Sequence, residues 1–356
     1  MGHLNRGIDV CHHRPRARGS PALGRISKGR IEMTFQVSMV SKRYGSKWVL
    51  RDVSLSISRG SVFGILGEPG SGKSTLIGAL SGRLKLNGGS YGFFKDGSSN
   101  QLKGVHSSAL IVEVNSPGSL LMRRLGLRQR KDIAGISDLI GRVEESSAND
   151  IVFIDDVLSR FDDDDRERFA NRVRALSRER GTIFVIASRR FSDIALLCDE
   201  ATIIDRSHQL QTGTPEQLYL EPISVKSAIL TGPVNLWTAR RTTSTKVEFP
   251  SFHLIDSQQD VFARPTSKAD IGPINQNVNL MIRPESVSIS FGASFPEDNL
   301  LKGRIEAIDF RGSLTYVRLD SNGLKISASA PRVVGLNIGD ECVVGLPPNR
   351  IHVLKS

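Results

Sequence analysis

The sequence predicts an α/β domain with a mostly parallel core sheet around a phosphate-binding loop, followed by a small all-β barrel of OB-like type. Three observations carry this expectation. The run Gly67-Glu68-Pro69-Gly70-Ser71-Gly72-Lys73-Ser74 fills every fixed position of G-x-x-x-x-G-K-[ST], between an apolar run and helix-forming residues. Downstream, apolar runs alternate with an amphipathic helical pattern, as in a parallel sheet with helical crossovers. From about residue 236 the texture changes to short alternating runs separated by turn residues.

Taken in order, residues 1–32 are rich in Gly, Pro and Arg, lack periodicity and are expected to be a disordered tail. Met33 stands directly before the first strand pattern and is expected to be the true translational start. Residues 35–40 and 53–57 alternate apolar and polar, which predicts two antiparallel strands with one buried face. Tyr44 falls in a Lys42-Arg43-Tyr44-Gly45 turn between them. Residues 61–66 read as a buried strand feeding the glycine-rich loop, and 75–80 as the start of a helix. Residues 151–154 and 182–187 are further strands of parallel type. Between them, 164–178 predicts a helix with Phe169, Val173 and Leu176 on one side and charge on the other. Short strands are expected at 247–249, 278–282, 303–308, 314–319, 324–326 and 341–346. The predicted division is a tail at 1–32, a nucleotide-binding domain at 33–235 and a β-barrel domain at 236–356.

Composition narrows the function. The net charge of +11 suggests a polyanion partner, but the tail alone contributes +5, from Arg6, Arg14, Arg16, Arg18, Arg25, Lys28 and Arg30 against Asp9 and Glu32. No nucleic-acid partner is therefore expected. Cys11, Cys198 and Cys342 are too dispersed for a metal or disulfide framework, which suits a reducing compartment. No apolar run is long enough to span a bilayer, and no signal-peptide pattern is present.

The loop identifies the ligand class. Glycines let successive backbone N–H groups converge on phosphates at a helix N-terminus, Lys73 adds a charge at the outer phosphates, and the Ser74 hydroxyl is a Mg²⁺ ligand. ATP with Mg²⁺ is the expected ligand pair. Residues 151–154 run into Asp155, a strand-terminal acid suited to Mg²⁺, and Asp156 beside it is placed to polarise an attacking water.

At this point the chain resembles the ATP-binding subunits of ABC transporters, the importer type serving carbohydrates, polyamines or ferric iron. Tyr44 stands where that family stacks an aromatic on adenine, and Leu50-Arg51-Asp52-Val53-Ser54-Leu55 is similar to its lead-in to the phosphate-loop strand. Ser159-Arg160-Phe161-Asp162 stands at its D-loop, and Gly213-Thr214-Pro215-Glu216-Gln217-Leu218-Tyr219 resembles the close of its nucleotide-binding domain. Arg283-Pro284-Glu285 is similar to a strand of its C-terminal TOBE barrel. The resemblance implies a nucleotide set of Tyr44, Gly67, Glu68, Pro69, Gly70, Ser71, Gly72, Lys73, Ser74 and Thr75. It also implies permease partners, a dimer of nucleotide-binding subunits, and a place on the cytoplasmic face of the inner membrane.

The departures from the family pattern are as informative. Lys131-Asp132-Ile133-Ala134-Gly135 occupies the place of the L-S-G-G-Q signature, and Asp132 would oppose a phosphate there. Glu113 replaces the Q-loop glutamine; it can still bind Mg²⁺ but cannot donate as an amide does. Ser188 stands where the family has the histidine that contacts the γ-phosphate, and Asp156 replaces the general-base glutamate with a shorter acid. About forty residues separate Glu113 from Asp155, which implies a truncated helical subdomain; one amphipathic helix, with Ile136, Leu139, Ile140 and Val143 on a face, remains. A homodimer would lack the signature in both composite sites, whereas a competent nucleotide-binding partner would supply one. The expectation is therefore weak or partner-dependent ATP hydrolysis, the alternative being a non-hydrolysing regulatory or scaffold protein.

Overall fold

The computed structural model describes residues 33–95, 108–112, 133–243, 249–264, 273–291, 298–331 and 334–354, with backbone alone for 95 and 108–112. The tail 1–32, Glu113, Lys131, Asp132 and most of the strand expected at 247–249 lie outside the described residues.

The first part of the chain builds two sheets. β1 (Met33–Tyr44), β2 (Lys47–Ser58) and β4 (Gly88–Lys95) form an antiparallel sheet in the order β2-β1-β4. β3 (Val62–Leu66) runs into α1 (Lys73–Leu80). Then come β5 (Ser108–Val112), α2 (Ile136–Ser146), β6 (Ile151–Asp155), α3 (Asp163–Arg180), β7 (Ile183–Ser188) and α4 (Phe191–Leu197). They are followed by β8 (Glu200–Asp205), β9 (His208–Gly213), α5 (Pro215–Leu220) and α6 (Val225–Thr231). The six-stranded sheet has the order β5-β6-β7-β3-β8-β9, parallel throughout except for the β8–β9 hairpin.

Every residue of β3, β6 and β7 is buried, because this sheet is covered on both faces. The period of two sorts their side chains. Val152, Ile154, Phe184 and Ile186 join Leu139, Val143, Phe169, Val173 and Leu176 of α2 and α3 in one core. Ile151, Phe153, Val185 and Ala187 join Leu76 and Ile77 of α1 and the antiparallel sheet in the other. The loop and α1 therefore lie on the second face, at the carboxyl ends of β3, β6 and β7.

The remainder is all-β. β10 (Asn235–Thr242), β11 (Ser251–Leu254), β12 (Asp260–Phe262), β13 (Asn277–Ile282) and, at the end of the chain, β19 (His352–Leu354) form one antiparallel sheet. β14 (Ser288–Ser290), β15 (Asn299–Phe310), β16 (Thr315–Ser321), β17 (Leu324–Ala330) and β18 (Glu341–Leu346) form another. Trp237, Phe252 and Leu280 of one sheet pack with Ile305, Leu319 and Val344 of the other in a single core.

Two local expectations change. Tyr44 is the last residue of β1, and the turn is Gly45-Ser46. The first two strands run twelve residues each, longer than alternation suggests, because bulges at Met39 (φ 51°) and Asp52 (φ 52°) reset the register without ending the pairing.

Candidate functional site

The loop between β3 and α1 tolerates no side chains at two of its glycines. A Cβ on Gly67 would sit 2.4 Å from the Ile204 carbonyl oxygen and 2.5 Å from Ser71 Oγ. Gly72 has φ +114°, and a Cβ there would meet the Val49 carbonyl oxygen at 2.6 Å. α1 then starts without a side-chain cap or an acidic first turn, so its leading N–H groups stay open to an anion. Lys73 folds back over the loop, its Nζ donating to the Gly67 carbonyl at 2.8 Å and the Glu68 carbonyl at 3.0 Å. Burial pulls its pKa down, opposed by the charges of Asp155 and Asp156.

β6 ends on Asp155, which is fully buried. Neither of its carboxylate oxygens has a hydrogen bond of normal geometry. Burial pushes its pKa up to about 6, with the Ser74 hydroxyl and the Lys73 ammonium acting in the opposite direction. An undonated carboxylate beside a serine hydroxyl suits a hard cation. Mg²⁺ takes one or two such groups and completes its shell with phosphate oxygens and water. Ser74 and Asp155 fit that ion. Among the described residues no group of three or more His, Cys, Asp or Glu side chains converges on a metal position.

Asp156 follows in the left-handed region, φ 49°, with its N–H donating to the Ala187 carbonyl at 3.1 Å. Burial raises its pKa, while Arg189 and Lys73 pull it down. A cavity of about 170 Å³ is lined by Val49, Pro69, Gly70, Gly72, Lys73, Ser74, Thr75, Asp155, Asp156 and Arg189.

Of the other expected residues, Tyr44, Gly67, Glu68 and Ser71 do not line this cavity. Glu68 is exposed and pairs with Lys226 of α6 at 2.7 Å, which lowers its pKa. Ser71 is buried, and its hydroxyl has no hydrogen-bond partner. Tyr44 stands beside Thr75, with the Lys42 ammonium 5.2 Å from its ring centroid. Glu113, expected as a metal ligand, is outside the described residues. Val49 and Arg189 were not anticipated as cavity residues.

Ser188, at the position where the family has its histidine, is closed off. Its hydroxyl donates to Asp193 Oδ2 at 2.7 Å and accepts the Arg190 N–H at 3.0 Å. Asp193 is also buried and lies 3.6 Å from Arg166 Nε. The altered signature just before α2 is partly occupied as well. Asp138 Oδ2 accepts the Ala134 N–H at 3.1 Å and binds Arg142 at 2.9 Å, so one N–H of the segment just before α2 is taken by a carboxylate of the same chain, while Gly135 at the N-cap makes no side-chain cap.

Comparison with known proteins agrees with this architecture. Residues 50–203 match the family model described as ABC transporter, and residues 280–354 match the TOBE domain. The chain is 24% identical to a spermidine/putrescine import ATP-binding protein of Haemophilus ducreyi, over 82% of this chain and 87% of that one. It is 24% identical to a maltose/maltodextrin import ATP-binding protein of Mannheimia succiniciproducens, over 89% and 94%. An Fe(3+) ions import ATP-binding protein of Haemophilus influenzae is 21% identical, over 90% and 98%.

Proposed function

We propose that this chain, a member of the ABC-type ATP-binding proteins that carries a C-terminal TOBE domain, is the energy-coupling subunit of an importer and hydrolyses ATP weakly or only with a partner subunit. The observation that carries this reading is the buried, undonated Asp155 sharing a cavity with Lys73 and an uncapped helix start. In the proposed reaction, water attacks the γ-phosphate in line, Lys73 spreads the developing charge and Asp156 polarises the water. Mg²⁺ held by Ser74 and Asp155, with Glu113 as a further candidate ligand, would neutralise phosphate charge when bound.

The similar importers are named for three different solutes, so the choice of solute is assigned to other subunits. The partners are permease subunits and a second nucleotide-binding subunit, and the location is the cytoplasmic face of the inner membrane. Asp138 taking the Ala134 N–H in the altered signature argues against a homodimer with two working sites, since the composite site needs free N–H donors in that segment. A competent partner would present its own donors to this chain's Lys73 and Asp155. The closed Ser188 is the specific observation favouring the second reading, a subunit that binds ATP without turnover.

Steady-state ATP hydrolysis with Mg²⁺, measured over a range of protein concentrations, tests both readings. Slow turnover that rises with concentration and falls at least about a hundredfold in Lys73→Ala is expected. ATP binding without turnover would select the non-hydrolysing reading. If the native chain binds no ATP, both are wrong.

A further inference from the structure

Ser188 and Arg189 leave the end of β7 in opposite directions. Alternation along the strand puts Ser188 on the face of Phe184 and Ile186, where the hydroxyl is locked to Asp193. Arg189 follows the face of Val185 and Ala187, the face that carries α1 and the loop. It is exposed and lines the cavity with Lys73, Asp155 and Asp156. Among the described residues its guanidinium has no hydrogen bond or ion pair, although it is close enough to Asp156 and Lys73 to influence both electrostatically. The cavity end that Arg189 borders is the end of the metal acid and the water-polarising acid, which is where the terminal phosphate of a bound triphosphate belongs.

We propose that Arg189 is the γ-phosphate ligand of this site, supplying within the same chain the contact that Ser188 is turned away from making. The inference rests on the ATP-binding reading above and adds a residue to it. A guanidinium presents a planar fork of donors that matches two phosphate oxygens at once. It is permanently charged, so the contact needs no protonation step. An unpaired guanidinium at the cavity wall can also turn onto the phosphate without first breaking a contact.

The experiment compares the affinities of a β,γ-imido ATP analogue and of ADP, both with Mg²⁺, for the native chain and three variants. Arg189→Ala is expected to weaken the ATP analogue roughly tenfold and leave ADP within about twofold, because only the γ-phosphate is contacted. Arg189→Lys should recover part of the loss, keeping the charge but not the fork. Arg190→Ala, which removes a neighbouring charge outside the cavity wall, should change neither affinity. Equal losses for the two nucleotides, or no loss for either, would overturn the assignment while leaving nucleotide binding intact. Failure of the native chain to bind either nucleotide would remove the ATP reading and this inference together.

Discussion

At the level of single residues, an ionised carboxylate without donors is a destabilised group, and Asp155 is one. Its pKa of about 6 in the folded chain stands above the ordinary aspartate value of 3.8. Between those two values the folded state binds a proton that the unfolded chain has released. The linked stabilisation is therefore present at low pH and lost as pH rises through about 6. Asp155→Asn removes the ionisation and should stabilise the nucleotide-free protein at pH 8 by on the order of 1–3 kcal/mol, the upper figure being the full pKa shift converted to energy. The advantage should shrink below pH 6 and vanish near pH 4. Chemical denaturation at pH 8 and pH 4.5 checks this, and equal effects at both pH values would contradict it. The variant should also lose Mg²⁺-dependent nucleotide binding. That Lys73, Ser74 and Asp155 meet in one cavity was legible in the sequence, because the loop and the strand-terminal acid follow a fixed local spacing. The place of Arg189 at the cavity wall was not, since it depends on which face of the sheet each residue leaving β7 follows. The strand's period of two did hold that signal.

Among the elements, α3 shows how a highly charged segment becomes a defined helix. Asp162 caps it, accepting the Asp165 N–H at 2.8 Å, and Gly181 ends it in the left-handed region at φ 71°. Asp163, Asp164 and Asp165 stand at its positive end and Arg178 and Arg180 at its negative end, so charge order supports the dipole. Phe169, Val173 and Leu176 then bury the apolar stripe against the sheet. Asp162→Ala should cost about 1 kcal/mol and lower Tm by roughly 2–4 °C, with nucleotide affinity unchanged. A thermal scan with and without nucleotide tests this; an unchanged Tm would show that the cap contributes nothing. This helix was readable because caps, periodicity and charge order agree. β4 was not anticipated, because Gly88-Gly89-Ser90 carries no alternating apolar pattern and tertiary pairing with β1 makes it a strand. Its place is fixed by Phe93, whose ring lies 5.2 Å from that of Phe35 in an edge-on packing with no local sequence signature.

For the whole molecule, the α/β part of the chain and the following all-β part are joined by Arg283, a buried cation that follows β13. Its guanidinium donates to the carbonyls of Tyr219 (2.7 Å), Pro233 (3.0 Å), Ala228 (3.1 Å) and Gly232 (3.2 Å), and to Thr231 Oγ1 at 2.8 Å. It also lies 4.0 Å from the Tyr219 ring centroid. Tyr219 in turn donates its hydroxyl to Glu285 at 2.7 Å and stacks on Phe191, the first residue of α4, at 5.7 Å. Burial, with Glu285 adding to it, pushes the Tyr219 pKa up to about 12, so the phenol stays a donor across the working range. The sequence pointed to Arg283-Pro284-Glu285, but the helix ends they grip were invisible, because backbone carbonyls carry no residue signature. One side chain thus satisfies carbonyls near the ends of α5 and α6 that would otherwise be left in a dry seam. Arg283→Met keeps the length and apolar stem but removes every donor, and should cost about 3 kcal/mol or more. Because the lost bonds all cross the seam, the cost should appear as lost cooperativity between the domains. Calorimetry should show one transition for the native chain and two for the variant, with the nucleotide-stabilised transition separating from the other. A single transition at an unchanged temperature would mean that the domains are coupled through other contacts and that Arg283 only fills space between them.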